Sequence, residues 1–219
     1  MMASQYLNRF QYLPTIGCIL FLLLMTIASI NYPGGSEVKE CSIGYSWEDN
    51  YLCDVLADVS HSNDHHHFHR VGLAAMICFC GGISMFFFYF PSWMNVQGPW
   101  RFVIKWMGLI SMIGAMLIFT NLHNIMIAVS SILALPALIG VFNILYRRRL
   151  FPFFFAGILI LILLVINNVI YYTDYMVQWL PQIQKISAIC IVHWLVVMNW
   201  KFINLKKELS VKNLTSTTS

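Results

Sequence analysis

Six near-continuous apolar stretches alternate with shorter polar ones along the chain, at 13–31, 71–90, 102–120, 125–146, 152–172 and 186–202. Roughly 20 mostly apolar helical residues cross a hydrocarbon core, so each stretch has the length of one membrane crossing. Because the runs do not alternate with inward-facing polar positions, they predict helices rather than barrel strands. The expected fold class is all-α, an integral membrane protein with a six-helix transmembrane bundle over residues 1–209 and a flexible cytoplasmic tail at 210–219. Only Asn121-Leu122-His123-Asn124 separates the third and fourth stretches, which predicts a tight antiparallel hairpin. Pro136 inside the fourth removes a backbone donor and predicts a kink.

Composition sharpens this picture. The 219 residues are 59% hydrophobic and only 10% charged, with a mean hydropathy of +0.70, whereas soluble domains carry about 25% charged residues. A cytosolic enzyme, a secreted disulfide scaffold, a disordered regulator and a coiled coil are excluded. The first run is longer than a signal-peptide core and lacks a clear cleavage pattern near Thr26-Ile27-Ala28-Ser29, so it is expected to stay as a span.

Charge predicts the orientation. With the N-terminus cytoplasmic, Arg9, Arg101, Lys105, Arg147, Arg148, Arg149, Lys201, Lys206, Lys207 and Lys212 share that face. Lys39, Arg70 and Lys185 are left on the other. This positive-inside bias puts both termini in the cytoplasm, in the inner membrane if the source is bacterial. The net charge of +4 is thus split between two faces and does not argue for a nucleic-acid partner.

Most side chains with chemical potential lie in the outer loop, 32–70, which is long for a helix connection and rich in aromatic and aliphatic residues. Tyr32-Pro33-Gly34-Gly35 reads as a turn leaving the membrane. Ser46-Trp47-Glu48-Asp49 has the pattern of a helix N-cap with an acid three positions on, which predicts a short amphipathic helix over 47–60. On that helix Asp54, Asp58 and His61 fall on one stripe. Beyond it, His61, His65, His66, His67 and His69 crowd nine positions. Zinc favours His nitrogen with Asp oxygen, and a catalytic site needs three protein ligands plus water. Asp54, Asp58 and His61, joined by His123 and His193, form the expected zinc set. A solvated or headgroup-contacting surface and a pH-sensing role, since free His titrates near 6.5, are the competing readings of the same run. Asn167, Asn168 and Asp174 extend the candidate polar lining, with interhelical hydrogen bonding favoured for the two asparagines. Cys41 and Cys53, both in the loop, form a possible disulfide.

The run Tyr32-Pro33-Gly34-Gly35, then Gly44-Tyr45-Ser46-Trp47-Glu48-Asp49-Asn50-Tyr51-Leu52-Cys53-Asp54 and Arg70 opening the second span, resembles a group of polytopic membrane proteins of unknown function, distantly similar to the Frag/DRAM/Sfk family. The resemblance implies five or six helices and a first outer loop with a Pro-Gly turn, an Asn and a Ser-Asp-like pair. It falls here on Pro33, Gly34, Asn50, Cys53, Asp54 and Arg70. Cys53 stands in place of the usual Ser, and the glycine that often follows the Asp is missing.

Four functions are compatible with this sequence. The leading expectation is recognition of a lipid headgroup or envelope component by Trp47, Asn50, Asp54, His69 and Arg70, the arginine fork being suited to phosphate. The runner-up is a metal-dependent lipid hydrolase, in which one Asp acts as base toward metal-bound water. A small transporter and a structural subunit holding a membrane-protein partner complete the set.

Overall fold

The computed structural model describes residues 9–117, 123–173 and 175–216, without the side chains of 123, 124, 127 and 206–216. Among these residues the fold is all-helical. Helix α1 is Leu13–Ile30 and α2 is His69–Trp93. α3 is a run of Pro99–Phe102, a π-helical turn at Val103–Met107, and Gly108–Met116. α4 is His123–Arg147, α5 is Phe151–Thr173 and α6 is Leu180–Ser216. Five helical segments are long and apolar enough to cross a membrane, in α1, α2, α4, α5 and α6, and they make the chain a multi-pass membrane protein. The third expected span is helical but interrupted by the π turn, and the end assigned to it runs into residues 118–122, outside the described residues. The last helix starts earlier than expected and continues to Ser216, through most of the stretch assigned to a tail.

The chain divides into two compact units. One comprises 1–18, 80–154 and 194–219, the other 19–79 and 155–193. In the first, α3 and α4 form the expected hairpin by close approach at small residues. A Cβ on Gly114 would meet Ser130 Oγ at 2.6 Å, and one on Gly140 would meet Ile104 Cγ1 at 2.6 Å. Ser111 Oγ donates to the Ser130 carbonyl at 2.9 Å. Small residues and hydroxyls are the usual means of joining helices where the surrounding lipid is as apolar as the side chains. Pro136 lies inside α4. Phe86 is the aromatic centre of this unit, with Phe87, Phe90, Trp93 and Trp194 within 6.2 Å of its ring.

In the second unit, Phe21 stacks on Phe79 at 4.4 Å. Phe155, Leu159, Ile162, Ile166 and Val169 of α5 are exposed at helical spacing, an outward apolar stripe suited to lipid rather than water. Asn167 Nδ2 donates to Ser187 Oγ on α6 at 2.8 Å, the interhelical bond expected of it. Asn168 is exposed and bonds to the Leu164 carbonyl of its own helix.

The amphipathic helix expected over 47–60 does not form. The segment holds one turn near Ser46–Asn50 and a 3-10 turn at Asp54–Leu56. Short polar side chains are the cause. Asp54 Oδ2 accepts from the Tyr51 backbone N–H at 2.9 Å, and Asn50 Nδ2 reaches the Gly35 carbonyl at 2.7 Å. Both offer the backbone an alternative to a continued helix.

Candidate functional site

The loop between α1 and α2 is a folded cap. It opens at Gly34 and Gly35, whose φ angles are 147° and 78°. Gly35 N–H donates to the Ser42 carbonyl at 2.8 Å, and Gly44 N–H to the Pro33 carbonyl at 3.0 Å. A Cβ on Gly35 would sit 2.5 Å from the Ser62 nitrogen, so the returning strand of the loop is packed directly on this turn.

The predicted cap at Ser46 exists for a single turn. Asp49 N–H donates to Ser46 Oγ at 3.2 Å and Ser46 Oγ donates back to Asp49 Oδ2 at 3.0 Å. Lys39 Nζ pairs with the same carboxylate at 2.9 Å. That lysine, with the Ser46 hydroxyl behind it, holds the Asp49 carboxyl below its ordinary range.

Asn50 is the hub. It is fully buried, and its amide donates to the Gly35 carbonyl and to Asp54 Oδ2 at 2.9 Å, while its Oδ1 accepts from Ser46 N–H at 2.8 Å. Lys185, at the start of α6 and buried, anchors this turn. Its ammonium donates to the carbonyls of Trp47 at 2.8 Å, of Asn50, and of Pro181 at 3.2 Å. It also lies 5.3 Å from the ring centres of Tyr45 and Trp47. Gln184 beside it accepts from Leu52 N–H at 3.0 Å. A cation so placed meets the carbonyl end of a helical turn, where the backbone dipole is negative.

The acids and imidazoles sort into two separate pairs. His61 Nε2 lies 3.5 Å from Asp54 Oδ1, and His69 Nδ1 lies 3.3 Å from Asp58 Oδ1. His66 sits deep in the cap, edge-on to Tyr32 at 5.3 Å. Its backbone N–H donates to the Asp58 carbonyl at 2.8 Å and its carbonyl faces His69 Nδ1 at 2.8 Å. Neither ring nitrogen of His66 makes a well-formed hydrogen bond, although the Val55 and Asn31 carbonyls face the ring. Burial lowers its pKa below 6.5, and His69 and His67 nearby push in the same direction.

The sequence-predicted residues therefore part company. Asp54, Asp58 and His61 do not share a helical stripe, and among the described residues no group of three His, Cys, Asp or Glu side chains is arranged to hold a metal ion. His193, part of the expected zinc set, is exposed. Asp174 and the side chain of His123 lie outside the described residues. Of the expected ligand-binding set, Asn50 and Asp54 are buried and spent on holding the loop together, and His69 is engaged with Asp58 and His66. Trp47, 52% exposed, and Arg70 keep their side chains open. Cys41 and Cys53 are separate free thiols. Lys185 was missed as a site residue; a lone lysine at the start of a membrane-length helix was the available signal.

No protein-family model, curated protein or solved structure matches the chain.

Proposed function

We propose that the chain is a six-span membrane protein with both termini cytoplasmic, whose clamped outer cap presents Arg70 and Trp47 to an anionic lipid headgroup or envelope component. The observation that carries this reading is Arg70 itself. It is exposed at the first turn of a membrane-length helix, and among the described residues no carboxylate lies within ion-pair distance of it. An unpaired guanidinium at that depth meets the phosphate level of a bilayer, and its planar fork matches phosphate oxygens. The cap supports the reading by spending Asn50, Asp54 and Lys185 on rigidity, which fixes where the exposed groups stand.

Charge supports the topology. The unit made of 1–18, 80–154 and 194–219 carries ten of the thirteen Lys and Arg and one of the nine acids, the asymmetry expected of a cytoplasmic face. The likeness to the Frag/DRAM/Sfk family fits this reading, since Pro33, Gly34, Asn50 and Asp54 are residues that shape the cap.

The test is headgroup binding by purified full-length protein in detergent, with short-chain phosphatidic acid and phosphatidylcholine as probes. Arg70→Ala is expected to weaken phosphatidic acid binding about fivefold, the worth of one surface charge near a lipid headgroup. Unchanged binding removes Arg70 from the role.

A further inference from the structure

The turn between α4 and α5 carries a second charge feature that the outer cap does not explain. Arg147, Arg148 and Arg149 are all exposed, and the turn they form has the backbone of a Schellman motif. Leu150 N–H donates to the Leu145 carbonyl at 2.9 Å and Arg149 N–H to the Tyr146 carbonyl at 3.0 Å. Such a turn needs a left-handed residue just past the helix end, a place normally given to glycine. Here Arg149 occupies it with φ 55°, a conformation that costs a non-glycine residue about 1 kcal/mol. One cation would already suit the negative end of α4; a third, set in the strained position, exceeds that need.

Among the described residues, the Arg147 and Arg148 forks are oriented without being neutralised. Arg147 Nε donates to Asn143 Oδ1 at 3.1 Å, and Arg148 Nη2 donates to the Met94 carbonyl at 3.0 Å. Both acceptors are neutral oxygens, so the full positive charge remains. The second contact draws the turn after α2 against the turn after α4. The α3–α4 hairpin brings Arg101 to the same end, because Trp100 and Ile104 flank Gly140 two turns below Arg147. Tyr146 and Phe151, whose rings meet at 5.9 Å, bracket the arginines with exposed aromatic surface, the arrangement found at membrane–water interfaces. Apart from Glu208, whose side chain lies outside the described residues, this whole unit contains no acid.

We infer that Arg147, Arg148, Arg149 and Arg101 form a docking surface for the phosphorylated headgroup of a polyanionic membrane lipid. Clustered arginines immediately beside a membrane helix recognise such lipids through charge and bidentate hydrogen bonds. The proposal is independent of the outer cap, and Arg70→Ala leaves it untouched.

Binding of dioctanoyl phosphatidylinositol bisphosphate to the purified full chain in detergent tests it, with dioctanoyl phosphatidylcholine and soluble inositol trisphosphate alongside. The bisphosphate lipid is expected to bind and phosphatidylcholine not to. The triple variant Arg147→Gln/Arg148→Gln/Arg149→Gln should bind on the order of a hundredfold more weakly, and Arg149→Gly about fivefold more weakly. Arg149→Gly relieves the left-handed strain, so its loss of binding would come with undiminished thermal stability and could not be blamed on misfolding. Wild-type binding by Arg149→Gly and by the triple variant, or equal binding of phosphatidylcholine, overturns the proposal. Inositol trisphosphate binding as tightly as the lipid reassigns the patch to soluble phosphates and overturns it too.

Discussion

Lys185 and Trp47 are 138 positions apart in the chain, and the lysine ammonium donates to the tryptophan carbonyl at 2.8 Å. With the Asn50 and Pro181 carbonyls completing its partners, one side chain ties the folded loop to the helix that follows much later. Replacing Lys185 by Met keeps the stem and deletes the donor. The buried carbonyls then lose a charged partner, at about 2–4 kcal/mol. Thermal unfolding in detergent should fall accordingly, and limited proteolysis should open the loop between residues 36 and 46 before the helices are cut.

Asn50 and Asp54 act as a unit. Asp54→Asn preserves an acceptor for Tyr51 N–H and removes only the charge facing His61, so a loss below about 1 kcal/mol is expected. Asp54→Leu leaves one hydrogen of the Asn50 amide and the Tyr51 N–H unpaired in a buried place, at about 2–3 kcal/mol. A double-mutant cycle between Asn50→Ala and Asp54→Ala should return a coupling of roughly 1–2 kcal/mol. Additive effects would show that the two side chains serve separate parts of the loop.

Gly35 is constrained twice, by its φ of 78° and by the Ser62 backbone 2.5 Å from where a Cβ would stand. Gly35→Ala should cost at least about 2 kcal/mol, since the obstructing atom belongs to the backbone and cannot rotate away. Gly98→Ala is the comparison. Its φ of 72° and ψ of −159° lie in a region essentially confined to glycine, but nothing lies within 4 Å of the added carbon, so the conformational term alone, about 1–3 kcal/mol, should appear there, and Gly35→Ala should exceed it.

Acid should loosen the cap through His66. Its pKa is lowered in the folded loop by burial, so the unfolded loop takes up a proton more readily. The stability it lends is complete above about pH 6.5 and falls as pH drops from there toward the folded pKa. The groups facing it are the Tyr32 ring, the Val55 and Asn31 carbonyls, and the His69 and His67 rings. Hydrogen exchange of loop amides near pH 5 and pH 7.5 checks this. Exchange should accelerate at the lower pH, beyond its intrinsic pH dependence, in wild type and much less in His66→Phe.

The membrane helices were legible because their signal is long and chemically simple: some twenty apolar residues in a row have few alternatives to a bilayer helix. The Ser46 cap and the Pro33-Gly34-Gly35 turn were legible for local reasons, a hydroxyl three residues before an acid and two adjacent glycines. The helix over 47–60 was misread because periodicity weighs apolar spacing and ignores what Asn50 and Asp54 can reach. Gly35, one of Asn50's partners, lies fifteen positions earlier, and no local pattern announces it. The separation of Asp54–His61 from Asp58–His69 follows from the same failure, since only a continuous helix would have aligned them. Lys185 was hidden differently: its role depends on a loop more than a hundred residues away, and a sequence reading that sorts lysines by membrane side has no reason to bury one.

The π-helical turn at Val103–Met107 bears on how the chain can change in length. A π turn is an α-helix wound with one residue more than it needs, so α3 holds a spare residue between Phe102 and Gly108. Removing one residue there lets the turn close as ordinary α-helix, with Ile104 still available to Gly140 on one side and Ser111 to Ser130 on the other. Removing one from Gly108–Met116 has no such slack to draw on. It would swing everything beyond it by about 100°, carrying Gly114 away from Ser130. Single-residue deletions should therefore be survivable at one point in this hairpin and ruinous a turn later, a polarity of tolerance that substitutions alone would never reveal.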